Sequence, residues 1–154
     1  MITSHATASH FLPHNSNQWD VIAINNSDTI LPKAIITHAK NKLRLVFDDI
    51  DCPLTPYVMP NFVDVRLALD FSPGKERLLV TCHSGMTRAA AIAYAIKCQE
   101  CGDPKTAITI LNNNHHYPNR MVVKLAAQIL SNPLILKTYE EWVKPVTFNV
   151  PDSQ

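Results

Sequence analysis

The chain has 154 residues, which is the length of one domain with a sizeable core. Hydrophobic residues make up 46% and charged residues 18%, a composition typical of a globular protein and not of a disordered chain. The formal net charge of +1 predicts no nucleic-acid surface, and no apolar run is long enough to span a membrane. We therefore expect a single domain over residues 1–154 that binds neither nucleic acid nor membrane.

The amino-terminal residues, MITSHATASHFLPHNSNQWD, have neither the basic start nor the apolar core of a signal peptide. The four cysteines of such a chain are more typical of free thiols than of a disulfide framework. We therefore predict a cytoplasmic protein. Because residues 1–18 show no hydrophobic periodicity, we predict a loosely ordered lead-in there.

Short apolar, β-branched runs predict strands at 19–25, 42–47 and 77–82. The last run, RLLVTC, does not alternate between apolar and polar residues, as expected of a strand buried on both faces. One or two helical turns are predicted at 32–40, and an amphipathic helix lies within 57–71.

Residues 89–101 are apolar nearly all the way round, which predicts a buried helix that Gly102 ends in a left-handed cap. Three further helices are predicted from the capping residues Asp103, Asn119 and Asn132. Short strands precede a strand–loop–helix unit, and helices follow it. The predicted fold class is α/β, with a small, mostly parallel sheet flanked by helices.

The segment CHSGMTR joins the buried strand to the buried helix. The first N–H groups of a helix have no intrahelical partners, and the helix dipole favours an anion beside them. Gly85 allows the loop to curl so that its N–H groups point inward, and Arg88 adds a guanidinium that can hold two phosphate oxygens. The predicted phosphate-binding residues are His83, Ser84, Gly85, Met86, Thr87 and Arg88.

Cys82 lies beneath this positive field, which favours its thiolate. A thiolate below a bound phosphate can attack phosphorus in line, so the loop binds the substrate and activates the nucleophile together. The reaction also needs an acid for the leaving oxygen, and the segment FDDIDCP offers Asp48, Asp49 and Asp51. Since parallel strands end at the same edge of a sheet, this acidic loop can reach the anion.

The Cys-x5-Arg motif with its internal glycine, together with the acidic loop upstream, resembles the cysteine-dependent protein tyrosine and dual-specificity phosphatases. Compact bacterial tyrosine-phosphatase-like proteins are more similar still, because their acid loop has the pattern (D/N)-D-I and a Pro-Asn pair precedes a late helix. Pro118 and Asn119 form that pair here, and the resemblance covers roughly residues 42 to 132.

The resemblance implies that Cys82 is the nucleophile, Arg88 the phosphate clamp and Asp49 the general acid, with a cysteinyl-phosphate intermediate. It implies no cofactor and no metal. The expected substrate is a phosphorylated protein or a small aryl phosphate, because the loop brings no lysine for more highly charged phosphates. Asp48 and Asp51 remain alternatives for the acid.

Two positions depart from this family pattern. Thr81 stands where the family has histidine, and Ala89 stands where it has a serine or threonine that bonds to the departing thiolate. We therefore predict an enzyme that phosphorylates itself readily and releases phosphate slowly. A phosphate-binding module without activity and a rhodanese-like sulfurtransferase remain alternatives, although the latter chemistry needs no acid loop.

The other three cysteines raise two further candidate roles, a zinc site and a redox-active thiol. Cys98 and Cys101, with His115 and His116, have the residue types of a zinc site, but two thiols on a buried helix are more typical of core packing. For Cys52 on the acidic loop we expect a plain loop cysteine, and a resolving thiol under oxidation is the alternative.

Overall fold

The computed structural model describes residues 1–143 of the chain. Its sheet has four parallel strands in the order β1-β4-β2-β3. The strands are β1 (Ile2–Ser4), β2 (Asp20–Asn25), β3 (Lys42–Val46) and β4 (Leu78–Cys82). The predicted α/β class with a small parallel sheet is therefore confirmed. The predicted single domain remains a prediction, and its residues 144–154 lie outside the described part of the chain.

Helices occupy the connections between the strands and the carboxyl-terminal part of the described chain. They are α1 (His5–Phe11), α2 (Lys33–His38), α3 (Phe62–Phe71), α4 (Arg88–Cys101), α5 (Pro104–Ala107), α6 (Arg120–Ile129) and α7 (Leu134–Trp142). Short 3-10 turns follow α1 and α5. Over residues 1–143, none of these helices has the length and apolar character to cross a membrane.

The central strands are buried on both faces. Ile22 and Ile24 of β2 pack into a core with α3, α4, α6 and α7, whereas Val21 and Ala23 pack into a second core with α1 and α2. Alternate residues of one strand therefore enter different cores. This explains why the sequence of a central strand shows no apolar–polar alternation.

The predicted lead-in is wrong. Residues 2–4 form strand β1, which pairs in parallel with β4, and the backbone N–H of Val80 donates to the carbonyl of Met1 at 2.8 Å. Helix α1 follows and buries Ala8 completely. A three-residue strand and a seven-residue helix are too short to produce a periodic signal, and their stability comes from tertiary contacts.

The predicted helix boundaries at Gly102, Asp103 and Asn119 are confirmed. Gly102 ends α4 with φ +70°, and Asp103 and Asn119 accept hydrogen bonds from the first turns of α5 and α6. Asn132 is not the N-cap of α7, because Pro133 holds that position, although Asn132 still accepts from the N–H of Leu134 at 3.1 Å.

Candidate active site

The loop between β4 and α4 curls around the thiol of Cys82. Cys82 is fully buried, and its Sγ accepts a hydrogen bond from the backbone N–H of Gly85 at 3.3 Å. Gly85 has φ +75°, and a Cβ there would lie 2.5 Å from the carbonyl carbon of Thr3 and 2.6 Å from the nitrogen of Ser4. The glycine is therefore required twice, by the left-handed turn and by the backbone of β1 packed against it.

The other loop residues occupy two kinds of position. His83 and Ser84 are exposed at the surface, whereas Met86 and Thr87 are half-buried. The N–H of Met86 donates to Ser84 Oγ at 3.2 Å, so this N–H group is already bonded inside the loop. Some of the loop N–H groups that we predicted to face a phosphate are thus already hydrogen-bonded within the loop.

Arg88 is the first residue of α4, and only 5% of its surface is exposed. Its Nη1 donates to Asn26 Oδ1 at 2.6 Å and to the carbonyl of Phe47 at 2.9 Å. These partners follow β2 and β3 respectively, so two strand ends fix the guanidinium. Its Nε is buried and has no partner among the residues that the structure describes. A buried N–H donor without a partner costs about 1–3 kcal/mol, which an anionic oxygen would offset.

The structure brings Asp49 to this loop. Thr87 Oγ1 donates to Asp49 Oδ2 at 2.7 Å, and Asn119 Nδ2 donates to Asp49 Oδ1 at 3.0 Å. Thr87 is the N-cap residue of α4, but its side chain makes no capping bond to the helix. Because its hydroxyl bonds to Asp49, the first N–H groups of α4 are left without a side-chain cap.

Asp48 has a different environment, although it is adjacent in sequence. It is buried and accepts hydrogen bonds from Val58 N at 2.7 Å, Ser27 Oγ at 2.8 Å and Ser27 N at 3.3 Å. Burial acts to raise the pKa of Asp48, but these hydrogen bonds and the positive charge of Arg88 hold it below its ordinary value. Asp48 is therefore an ionised anchor of the acidic loop, with no proton to give near neutral pH.

Asp51, the third candidate acid, is exposed and lines a groove of about 940 Å³ that Asp49 also borders. The other residues lining this groove include Asn113, Tyr117, Asn119, Arg120, Tyr139 and Trp142. Of the three aspartates, Asp49 is the one whose carboxylate bonds to the Cys82 loop through Thr87. The three aspartates therefore differ in the groups that they contact.

Residues 117–119 are hydrogen-bonded to the backbone of the Cys82 loop. The N–H of Tyr117 donates to the carbonyl of Met86 at 2.9 Å, and the N–H of Asn119 donates to the carbonyl of Thr87 at 3.2 Å. The Asn119 side chain accepts from Val122 N while it donates to Asp49. This one residue therefore starts α6, contacts the loop and holds the acidic segment.

Sequence reasoning missed two residues of this site. Asn26, which holds Arg88, and His5, which contacts Thr81 Oγ1 at 3.1 Å, lie far from the loop in sequence. Neither carried a local signal, since one follows a strand within a polar turn and the other lay in the predicted lead-in. Within residues 1–143, no group of three or more His, Cys, Asp or Glu side chains is placed to hold a metal ion.

The sequence matches no protein-family profile and no curated protein. Solved structures are nevertheless similar in fold. A human tyrosine phosphatase-like serine/threonine/tyrosine-interacting protein superposes with a TM-score of 0.64 at 17% identity, over 84% of this chain and 89% of that chain. Tk-PTP in its active form gives 0.58 at 11% identity (84% and 88%), and DUSP15 gives 0.54 at 20% identity (91% and 89%).

These likenesses show that the chain has the fold of the tyrosine and dual-specificity phosphatases. The expected resemblance to that superfamily is confirmed at the level of fold. The greater similarity to compact bacterial members remains a prediction.

Proposed function

We propose that the protein is a phosphate monoester hydrolase of the tyrosine or dual-specificity type, acting through a cysteinyl-phosphate. The observation that carries the proposal is the hydrogen bond of 2.7 Å between Thr87 and Asp49, which joins the Cys82 loop to the acidic loop. A phosphatase needs an acid beside its nucleophile, whereas a sulfurtransferase does not. The contact therefore favours the phosphatase over the rhodanese-like alternative.

In the first step, the Cys82 thiolate attacks phosphorus while the loop N–H groups and Arg88 bind the phosphoryl oxygens. The S–P bond forms as the bond to the leaving oxygen breaks. Asp49, in its acid form, gives its proton to that oxygen. Asn119 orients the Asp49 carboxyl through its hydrogen bond to Oδ1.

In the second step, water attacks the cysteinyl-phosphate and the thiolate departs. Asp49, now ionised, accepts a proton from the attacking water. Ala89, one residue beyond Arg88, is fully buried and offers no hydroxyl to the departing sulfur. The second step is therefore the slower one, and the phosphoenzyme accumulates.

The proposed substrate carries a single phosphoryl group on an aromatic oxygen, either in a phosphorylated protein or in a small aryl phosphate. The loop has no lysine to bind further phosphates, and an aryl oxide leaves readily. The proposed location is the cytoplasm, because a reducing compartment keeps a nucleophilic thiol free.

A second candidate is a phosphate-binding protein with little or no turnover. Two observations favour it: Ala89 provides no hydroxyl, and the Thr87 hydroxyl is bonded to Asp49. Such a protein would bind phosphate or vanadate as well as an enzyme does but release no product.

The test is hydrolysis of p-nitrophenyl phosphate in the presence of EDTA, followed from the first turnover. Cys82→Ser is expected to abolish activity, and Asp49→Asn is expected to lower it sharply. Cys52→Ser and Asp51→Asn are the matched controls, because both lie on the acidic loop and are exposed. Activity that survives Cys82→Ser would contradict the phosphatase, and binding without hydrolysis would favour the second candidate.

A further inference from the structure

The side chain of His5, the first residue of α1, contacts two strands of the sheet, β2 and β4. Its Nε2 lies 3.1 Å from the carbonyl oxygen of Ile24 in β2, and its Nδ1 lies 3.1 Å from Thr81 Oγ1 in β4. A carbonyl oxygen can only accept, so Nε2 carries the hydrogen. In the neutral ring Nδ1 is then an acceptor, and the Thr81 hydroxyl donates to it.

Thr81 is fully buried and directly precedes Cys82. The backbone on either side of His5 is also in contact with this region, because Ser4 pairs with Cys82 and the Gly85 backbone packs against Thr3 and Ser4. The end of β1 and the start of α1 therefore contact the start of the loop through both backbone and side chain.

The environment of His5 keeps the ring neutral. Burial lowers the pKa of His5, the hydrogen bond to the carbonyl of Ile24 partly opposes this effect, and the nearby Arg88 and His83 side chains lower it further. In the neutral ring with hydrogen on Nε2, the lone pair of Nδ1 accepts from the Thr81 hydroxyl, whereas a protonated ring would donate from both nitrogens.

We propose that His5 is a positioning residue for the nucleophile, which fixes the end of β4 and hence Cys82 through its hydrogen bond with the Thr81 hydroxyl. The proposal rests on the phosphatase function proposed above. His5 does not touch the substrate in this account. It acts by limiting the freedom of the residue that precedes the nucleophile.

Two substitutions at His5 separate its two hydrogen bonds. His5→Asn places an amide oxygen near the position of Nδ1 and preserves an acceptor for Thr81. His5→Gln places its amide group near the position of Nε2 and preserves a donor to Ile24. Both remove the titratable ring, so a difference between them reports on the Thr81 contact.

The experiment measures the rate of phosphorylation of Cys82 and the affinity for inorganic phosphate in both variants, in Thr81→Val and in Thr81→Ser. One lost hydrogen bond is expected to cost about 3- to 10-fold. We expect this loss in kcat/KM for His5→Gln and Thr81→Val, and values within about 2-fold of wild type for His5→Asn and Thr81→Ser. The double variant His5→Gln/Thr81→Val should lose no more than either single variant.

Thermal unfolding of each variant distinguishes a positioning role from a purely structural one. A purely structural role would lower the unfolding midpoint but would leave the rates of His5→Asn and His5→Gln equal. Equal rates for His5→Asn and His5→Gln, or additive losses in the double variant, would overturn the proposal. Should His5→Gln fail to fold, the Thr81→Val and Thr81→Ser pair alone decides. If the wild type is active and these substitutions leave its rate unchanged, this inference alone is overturned. If the wild type neither hydrolyses nor binds phosphate, both proposals are overturned.

Discussion

Thr87 Oγ1 donates a hydrogen bond to Asp49 Oδ2 over 2.7 Å. The hydroxyl that lies nearest in sequence to the Arg88 guanidinium is therefore bonded to the acidic loop and not to the thiol. Cys82 Sγ accepts instead from the Gly85 N–H at 3.3 Å. Thr87 consequently does not replace the hydroxyl that Ala89 lacks, and this relationship determines which catalytic step we expect to be slow.

Ala89→Ser is expected to speed the release of phosphate. A hydrogen bond to a charged sulfur contributes about 1.5–3 kcal/mol. This corresponds to roughly 10- to 100-fold in the second step. The initial burst of product should shrink relative to the steady state, as measured by rapid mixing. Ala90→Ser is the control, since Ala90 is equally buried in α4. An unchanged burst in Ala89→Ser with faster release in Ala90→Ser would contradict the assignment.

Asp49→Asn should chiefly lower the catalytic rate, whereas Asp48→Asn should chiefly lower the stability. Loss of a general acid lowers the rate about 10²- to 10⁴-fold, so Asp49→Asn should slow the first step strongly and leave folding nearly unchanged. The effect should be greater with phenyl phosphate than with p-nitrophenyl phosphate, whose leaving group needs less protonation.

Asp48→Asn should chiefly lower the free energy of unfolding, by about 1–3 kcal/mol, because an amide cannot accept all three hydrogen bonds as well. The pKa of Asp48 is lowered in the folded state, so its contribution is present above its ordinary pKa and is lost as the pH falls. Urea unfolding between about pH 3 and pH 7 measures this loss. A pH-independent difference between wild type and variant would contradict it.

Gly85→Ala should be far more harmful than Gly74→Ala. Both glycines have positive φ, +75° and +74°, so alanine is strained at either position. A Cβ at Gly74 meets no atom within 4 Å, whereas one at Gly85 lies 2.5 Å from the Thr3 backbone. We expect an additional loss of about 1–3 kcal/mol for Gly85→Ala and a displaced β1. Equal unfolding midpoints for the two variants would show that β1 does not pack there.

Acid should destabilise the wild type more than His5→Asn. The pKa of His5 is lowered by burial, so the unfolded chain binds its proton at a higher pH than the folded chain. Stability contributed by neutral His5 is therefore full above about pH 6.5 and falls as the pH decreases towards the lower pKa of the folded state. The difference in unfolding free energy between wild type and His5→Asn should narrow from pH 7.5 to pH 5, as thermal or urea unfolding measures. A difference that is constant across this range would contradict a neutral, half-buried ring.

The strand–loop–helix unit around Cys82 was predictable because its signals are local. The apolar run before the cysteine, the glycine and the apolar helix after Arg88 all lie within one stretch of sequence. The capping roles of Asp103 and Asn119 were predictable for the same reason, since a cap and its N–H partners are neighbours.

The remaining features of the site depend on contacts between distant segments. Residues 2–4 form a strand because β4 is available beside them, which no property of those residues indicates. The difference between Asp48 and Asp49 is set by Ser27, Val58, Thr87 and Asn119, all remote in sequence. The residues themselves therefore indicated three candidate acids, and only the family resemblance pointed to Asp49 among them.

The most direct test of the central claim is to trap the phosphoenzyme. Wild-type protein is mixed with p-nitrophenyl phosphate in the presence of EDTA and quenched in acid during the burst. The mass of the peptide that contains Cys82 is then measured by mass spectrometry. The account predicts one added phosphoryl group on Cys82, and none in Cys82→Ser. Hydrolysis that proceeds with Cys82 unmodified at every quench time, and that persists in Cys82→Ser, would contradict it.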